Sequence, residues 1–281
     1  QNTPRAWSFF VLTRISLLCF HVLPDARKKT IRHLSQVFGR EKSDREIYQM
    51  AHEVFRNLGR NAVDMFRLQK VLGKNPYKYV AVQGLEHLDA ALAKGKGVIV
   101  ITGHIGCWEL MAGFISTIGY KVAVVGTPLY DPRLDQMLVQ NRTSVGLINI
   151  VRDTGARQIL KTLHDGNIVG ILIDQDTKVD GEFVDFLGTP ALTPVGPVTL
   201  ALKTGAGIVP MSIHLQPDNR HLLKIEPEIE LETSGDRSRQ RLVNTQKCSK
   251  AVEKMLLIDP TQWVWVHERW KTKPGQNAKI L

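Results

Sequence analysis

Cysteine is scarce: Cys19, Cys107 and Cys248 are the three in a chain of 281 residues. They lie far apart, match no metal-ligand spacing and leave an odd count for disulfides. That excludes a disulfide scaffold and fits a reducing, cytosol-facing compartment. The paired-histidine zinc pattern His-Glu-x-x-His is missing too. His164, His214, His221 and His267 are scattered and read as packed or surface residues. No uninterrupted apolar run reaches the roughly 20 residues of a membrane-crossing helix. Internal repeats, low-complexity tracts and a signal-peptide cleavage pattern are also lacking. Acidic residues are thin in one region only. Residues 1–75 carry fourteen Lys and Arg against six Asp and Glu, whereas the other 206 residues carry 23 against 21.

What is present is ordinary in bulk, with 43% hydrophobic and 23% charged residues. The length suffices for a large core, as one α/β domain or one domain with an appendage. The net charge of +10 is mostly N-terminal. Such a surplus is either a solvated surface or an attraction to something anionic: a bilayer, nucleic acid or an acidic carrier. Trp7 to Leu23 reads WSFFVLTRISLLCFHVL, broken by Arg14 and His21, and is followed by Arg27, Lys28, Lys29 and Arg32. An apolar stretch with a basic flank describes a helix lying on, or dipping into, an anionic membrane face; the alternative is a core helix. The chain opens on Gln1 and not Met, which leaves open whether upstream residues, a longer anchor among them, precede it.

Apolar residues at helical spacing predict a helix over 44–72, capped by Asp44, and Gly73, Asn75 and Pro76 end it. This boundary divides the chain into a basic, helical, membrane-associating segment (1–75) and an α/β domain (76–281). Strands are predicted at Val80–Val82, Val98–Thr102, Val122–Val125, Leu147–Val151, Ile168–Ile173, Gly207–Ile213 and Leu222–Ile229. Helices are predicted over 85–94, 107–118, 131–144, 155–165, 195–204 and 236–258. This alternation predicts a largely parallel central sheet flanked by helices. Trp263-Val264-Trp265 reads as a strand with one face buried.

Ligands of open α/β sheets bind beyond the carboxyl ends of the strands. Gly-His-Ile-Gly-Cys-Trp-Glu, residues 103–109, follows one such end, and Asp174-Gln175-Asp176 follows another. If the two strands are parallel neighbours, both clusters face one crevice. A regular helix turns a five-residue separation through about 140°, so His104 and Glu109 point together only if His104 lies outside the helix. Gly103 and Gly106 allow that turn. His104 would then act as a base held by the Glu109 carboxylate, with unpaired turn amides near a developing oxyanion. Cys107 as a covalent nucleophile and a purely structural turn stay open from these residues alone. Asp174-Gln175-Asp176 also matches the Asp-x-Asp clasp of metal-dependent sugar transferases. A non-enzymatic basic module is a third reading, although the chain carries no recognised nucleic-acid motif.

The strand, His-x4-Glu and helix order resembles the His-x4-Asp/Glu signature of glycerolipid-type acyltransferases. Four further blocks follow in order: VGTPLYDPRLD with Asn141-Arg142, ILIDQD, GEFVDFLGTPALTPVGPVTLALKTGAGIVP, and QWVWVHERWKTKP. Together they resemble the lipid A late acyltransferase (lauroyl/myristoyl acyltransferase) family over nearly the whole chain. Mycobacterial mannoside acyltransferases are relatives of that family. The resemblance implies an enzyme on the cytoplasmic face of a bacterial inner membrane, peripheral or held by a single N-terminal anchor. It would move an acyl chain from acyl-carrier protein or acyl-CoA to a glycolipid hydroxyl, without metal or cofactor. It further implies His104 and Glu109 as catalytic residues. Cys107, Thr127, Arg142, Asp174, Gln175 and Asp176 are implied to line the substrate pocket, with Arg142 facing a phosphate or the thioester oxyanion.

Overall fold

The computed structural model describes residues 3–177 and 179–275. Four helices open the chain: α1 (Arg5–Val22), α2 (Pro24–Phe38), α3 (Asp44–Met65) and α4 (Leu68–Leu72). The cap of α3 is Ser43 and not Asp44. The Ser43 hydroxyl accepts from the Glu46 amide, and the Glu46 carboxylate accepts from the Ser43 amide at 2.9 Å, a reciprocal capping box. The expected continuous helix over 44–72 breaks at Phe66 and Arg67, before α4 restarts it.

The remaining elements are β1 (Val80–Gln83), α5 (Leu85–Leu92), β2 (Val98–Thr102), α6 (Trp108–Thr117), β3 (Val122–Gly126), α7 (Pro132–Ser144), β4 (Ile148–Val151), α8 (Ala156–His164) and β5 (Ile168–Leu172). They continue through β6 (Gly181–Phe186), β7 (Thr189–Pro194), α9 (Gly196–Thr204), β8 (Gly207–Leu215), β9 (His221–Ile225) and α10 (Arg237–Leu256). Seven strands form one sheet in the order β1-β9-β8-β2-β5-β3-β4. The run β8-β2-β5-β3-β4 is parallel throughout; β9 pairs antiparallel with β8 and parallel with β1. The expectation of a largely parallel, helix-flanked sheet therefore holds. Every residue of β2 and β8 is buried, as helices on both faces require, which is why these strands read as unbroken apolar runs.

Two expectations in the C-terminal half are corrected. Between β5 and α9, where no strand was expected, β6 and β7 form a two-stranded hairpin turned at Leu187 and Gly188. Leu187 and Gly188 both take positive φ, the backbone that a tight two-residue hairpin loop demands. Trp263-Val264-Trp265 is not a strand. Trp263 makes one isolated antiparallel bridge to Ile105, and both tryptophans are fully buried. Their rings meet edge to face at 4.7 Å, and the segment packs as a core loop.

The N-terminal helices share the core of the sheet. Phe20, Leu34, Phe38, Ile47 and Val54 belong to the same apolar cluster as Ile99, Ile101, Trp263 and Trp265. Residues 3–75 thus share a core with the α/β layer; residues 1–2, 178 and 276–281 of the two expected segments lie outside the described residues. Helix α1 packs tightly against α3 at Gly59, where a Cβ would stand 2.6 Å from the Leu12 carbonyl oxygen. Its other face is open: Trp7, Phe10, Leu18 and Val22 are 57–59% exposed. By length and composition α1 is apolar enough to cross a membrane.

Candidate active site

β2 and β5 are parallel neighbours with Thr102 opposite Leu172. Two residues beyond each partner stand His104 and Asp174, so the register itself brings them together at the carboxyl edge. Asp174 accepts from the His104 backbone amide at 2.7 Å and from the ring Nδ1 at 2.8 Å. The indole Nε1 of Trp263 donates to the same carboxylate at 2.6 Å. Asp174 is buried, which alone would raise its pKa. The adjacent imidazole and these donors outweigh burial and hold the carboxyl at about 2. The His104 side chain keeps 23% exposure, and among the described residues no hydrogen bond occupies Nε2.

The turn that carries His104 is fixed from three directions. The Ile105 amide closes on the Gly103 carbonyl at 2.7 Å, and the Gly106 amide donates to the Gln262 carbonyl at 2.9 Å. The Val264 amide donates to the His104 carbonyl. Gly106 has φ +56, and a Cβ there would overlap the Ile213 carbonyl of β8; only glycine fits. The amides of His104, Ile105 and Gly106 are therefore all engaged within the protein.

Glu109 does stand in the first turn of α6, but its carboxylate turns away from His104. It grips Arg142 of α7 through two parallel bonds of 2.8 and 2.6 Å, and Arg142 also donates to Asn149 of β4. The expected His104–Glu109 pair is thus replaced by a hydrogen-bonded pair, His104–Asp174, and a separate ion pair, Glu109–Arg142. The physical reason is position: five residues of turn and helix carry Glu109 toward β3 and α7, whereas Asp174 arrives directly below His104 from the adjoining strand.

Cys107 is corrected as well. Its thiol is buried, points at the Asn61 carbonyl of α3 and lies in the apolar layer beside α4 and α5. Desolvation, reinforced by the charge of Asp64, pushes its pKa well up. It is neither a pocket wall nor a thiolate. Thr127 is exposed just past β3, and Gln175 is half-buried between the two aspartates. Asp176 is buried and accepts from the backbone amide (2.8 Å) and hydroxyl of Thr272. Both aspartates thus bind donors inside the protein instead of presenting an outward clasp. Among the described residues no group of three or more His, Cys, Asp and Glu is arranged to hold a metal ion.

An apolar slot of about 40 Å³ runs beneath α6. Thr102, Leu172 and Val125 mark its upper end; Ile168, Val122 and Ile115 mark its lower end. The Glu109–Arg142 pair and Trp108 line it, and the Trp108 ring stands edge-on to His104 at 4.8 Å. His267, read as a packed or surface residue, is close enough for the charges of Asp174 and His104 to affect it; burial lowers its pKa, and its buried Nε2 has no hydrogen-bond partner among the described residues. Trp263 and Asn149 are the other site residues that sequence reading missed. The fully parallel register of β2 and β5 was the available signal for Asp174 as the histidine's partner.

A sequence profile described as "Bacterial lipid A biosynthesis acyltransferase" matches residues 1–272. The chain belongs to that family. Phosphatidylinositol mannoside acyltransferase of Mycobacterium tuberculosis (strain CDC 1551 / Oshkosh) is 27% identical over 231 residues, covering 80% of this chain and 66% of that protein. The chain thus spans about two thirds of the length of this relative. Lipid A biosynthesis palmitoleoyltransferase of Escherichia coli (strain K12) is 26% identical over 286 residues, covering 96% of this chain and 87% of that protein. Lipid A biosynthesis lauroyltransferase of the same strain is 24% identical over 254 residues, with 88% and 80% covered. The family membership expected from the ordered sequence blocks is therefore established.

Proposed function

We propose that the protein transfers a fatty acyl chain from an acyl thioester, carried by acyl-carrier protein or coenzyme A, to a hydroxyl of a membrane glycolipid such as a lipid A precursor. The observation that carries this reading is the His104–Asp174 pair, two residues beyond Thr102 and Leu172, which line an apolar slot. Asp174 holds Nδ1, fixes the tautomer and stabilises the imidazolium, so Nε2 is the nitrogen that takes the proton from the acceptor hydroxyl. The hydroxyl attacks the thioester carbon directly. The tetrahedral intermediate collapses as the imidazolium returns its proton to the departing thiolate sulfur; the thiol leaves, and no acyl-enzyme forms. Glu109 serves as the clamp of Arg142, whose fixed guanidinium faces a substrate phosphate or the oxyanion. The slot beneath α6 takes acyl methylenes. Helix α1 and the basic flank rest on the cytoplasmic face of a bacterial inner membrane.

The test is transfer from radiolabelled acyl-carrier protein to a lipid A precursor or a mannosylated phosphoinositide, with and without EDTA. Transfer that survives EDTA and vanishes in a folded His104→Ala variant is expected. Loss with EDTA and restoration by manganese would favour a sugar transferase instead.

A further inference from the structure

A second, wider cavity of about 410 Å³ opens between α1, α3 and the turn joining β8 to β9. Its polar lining includes Arg14 of α1, Arg56 and Arg60 of α3, and Asn219 of the turn; Phe9 and Phe10 form apolar walls. Among the described residues, the lining carries three guanidiniums and no carboxylate. Arg60 is pre-set: it donates to the Asn219 side chain at 2.9 Å, and its guanidinium lies 5.7 Å from the Phe9 ring. Asn219 takes φ +63 at the tip of the turn. Arg56 meets Glu53 at 3.4 Å in an exposed i,i+3 contact, which neutralises little.

Arg14 is the informative residue. It lies in line with Trp7, Phe10 and Leu18 on the exposed side of α1 (spacing three, four, four), and its guanidinium stands 5.1 Å from the Phe10 ring. A cation in the middle of an apolar stripe is costly against hydrocarbon unless an anion meets it there. The stripe calls for acyl chains and the cavity calls for a compact anion. One molecule joins both demands.

The geometry points to a binding site for an anionic glycerophospholipid, with its phosphate held by Arg14, Arg56 and Arg60 and its acyl chains lying along Phe10 and the exposed face of α1. This rests on the membrane-surface part of the proposed function. The site is a discrete pocket, distinct from the diffuse basic surface and from the slot beside His104. The bound lipid would wedge between α1 and α3 and set the depth at which the helix rests.

The experiment compares two variants of equal charge loss, Arg14→Gln/Arg56→Gln and Lys28→Gln/Arg40→Gln. It measures partition onto vesicles of phosphatidylcholine with and without phosphatidylglycerol. The pocket variant is expected to lose at least about tenfold more affinity for anionic vesicles than the control, because diffuse attraction treats all four charges alike. Native mass spectrometry with monomeric dihexanoyl phosphatidylglycerol should show one lipid on the parent protein and none on the pocket variant. Arg60→Lys keeps the charge, loses the planar fork and should weaken that adduct. Equal losses in the two variants would overturn the site. So would displacement of the lipid by inorganic phosphate at the same concentration, which marks a free-anion site. Selective loss of acyl-carrier protein binding with lipid binding intact would also overturn it, in favour of an acidic protein. A parent protein that ignores anionic vesicles while still transferring acyl groups would refute the membrane-surface reading and this site with it, leaving the chemistry at His104 standing.

Discussion

Asp174 uses both carboxylate oxygens on one residue of the neighbouring strand end: Oδ2 receives the His104 amide and Oδ1 faces the ring Nδ1. The same carboxylate therefore sets the path of the turn and the orientation of the base. Asp174→Asn is expected to lower kcat about 10²–10⁴-fold, the usual worth of positioned acid–base catalysis. Asp174→Glu should rescue little, because the longer arm cannot keep both bonds. Steady-state rates with the protein's fold checked by circular dichroism decide this; an Asp174→Asn enzyme with full kcat would remove Asp174 from the mechanism.

The carboxyl of Asp174 also ties stability to pH. Its folded pKa of about 2 lies below the ordinary aspartate value of 3.8. A depressed acid contributes stability that is fully present above the unfolded pKa and lost as pH falls through the folded one. Its share, on the order of 2 kcal/mol, should therefore disappear between about pH 4 and pH 2. Acid titration of urea midpoints should show a smaller drop across that window in Asp174→Asn than in the parent.

Glu109 and Arg142 predict a different phenotype. Both are nearly enclosed, and removing one strands the charge of the other. Glu109→Ala is expected to cost roughly 3–5 kcal/mol and to lower Tm clearly. His104→Ala takes the ring from buried Asp174 but leaves it the backbone amide and the Trp263 indole, so it should lower Tm less than Glu109→Ala while abolishing transfer. A Glu109→Ala/Arg142→Ala double variant more stable than the Glu109→Ala single variant would establish that the cost is the orphaned charge. Transfer retained by a folded Glu109→Gln enzyme would confirm that Glu109 acts through Arg142 and not on the histidine.

Cys107 should be chemically silent. Its thiol is buried and its pKa is pushed up, so iodoacetamide at pH 8 should modify half-buried Cys19 well before Cys107. Cys107→Ala is expected to keep most of its transfer activity. An acyl-enzyme trapped on Cys107 and seen by mass spectrometry would overturn direct attack.

Membrane attachment is best probed by point changes. Deleting residues 1–23 would remove Phe20 from the core. It would also remove Arg5, which grips buried Asp64 through bonds of 2.8 and 2.6 Å beside His221. Deletion is therefore expected to destabilise the sheet, not merely to free it from the bilayer. Phe10→Ser/Leu18→Ser touches only exposed side chains and should weaken vesicle binding with Tm shifted by less than a few degrees. Unchanged binding would exclude the outward face of α1 as the contact surface.

The sequence by itself determined the parallel α/β architecture, because unbroken apolar strands such as Val98–Thr102 alternate with helical segments and can be buried only between helices. It also placed His104 in a glycine turn at a strand end and marked α1 as apolar with a basic flank. The ordered blocks carried the family. Only the tertiary structure decided the partners. Spacing along the chain favoured Glu109 because it is five residues from His104; the register of β2 and β5 awarded the histidine to Asp174, seventy residues away. The alternation in Trp263-Val264-Trp265 imitated a strand, yet both rings fill one core and one of them hydrogen-bonds Asp174. Local periodicity reports which faces are apolar. Which carboxylate meets which cation depends on distances across the sheet, and these are set by the fold.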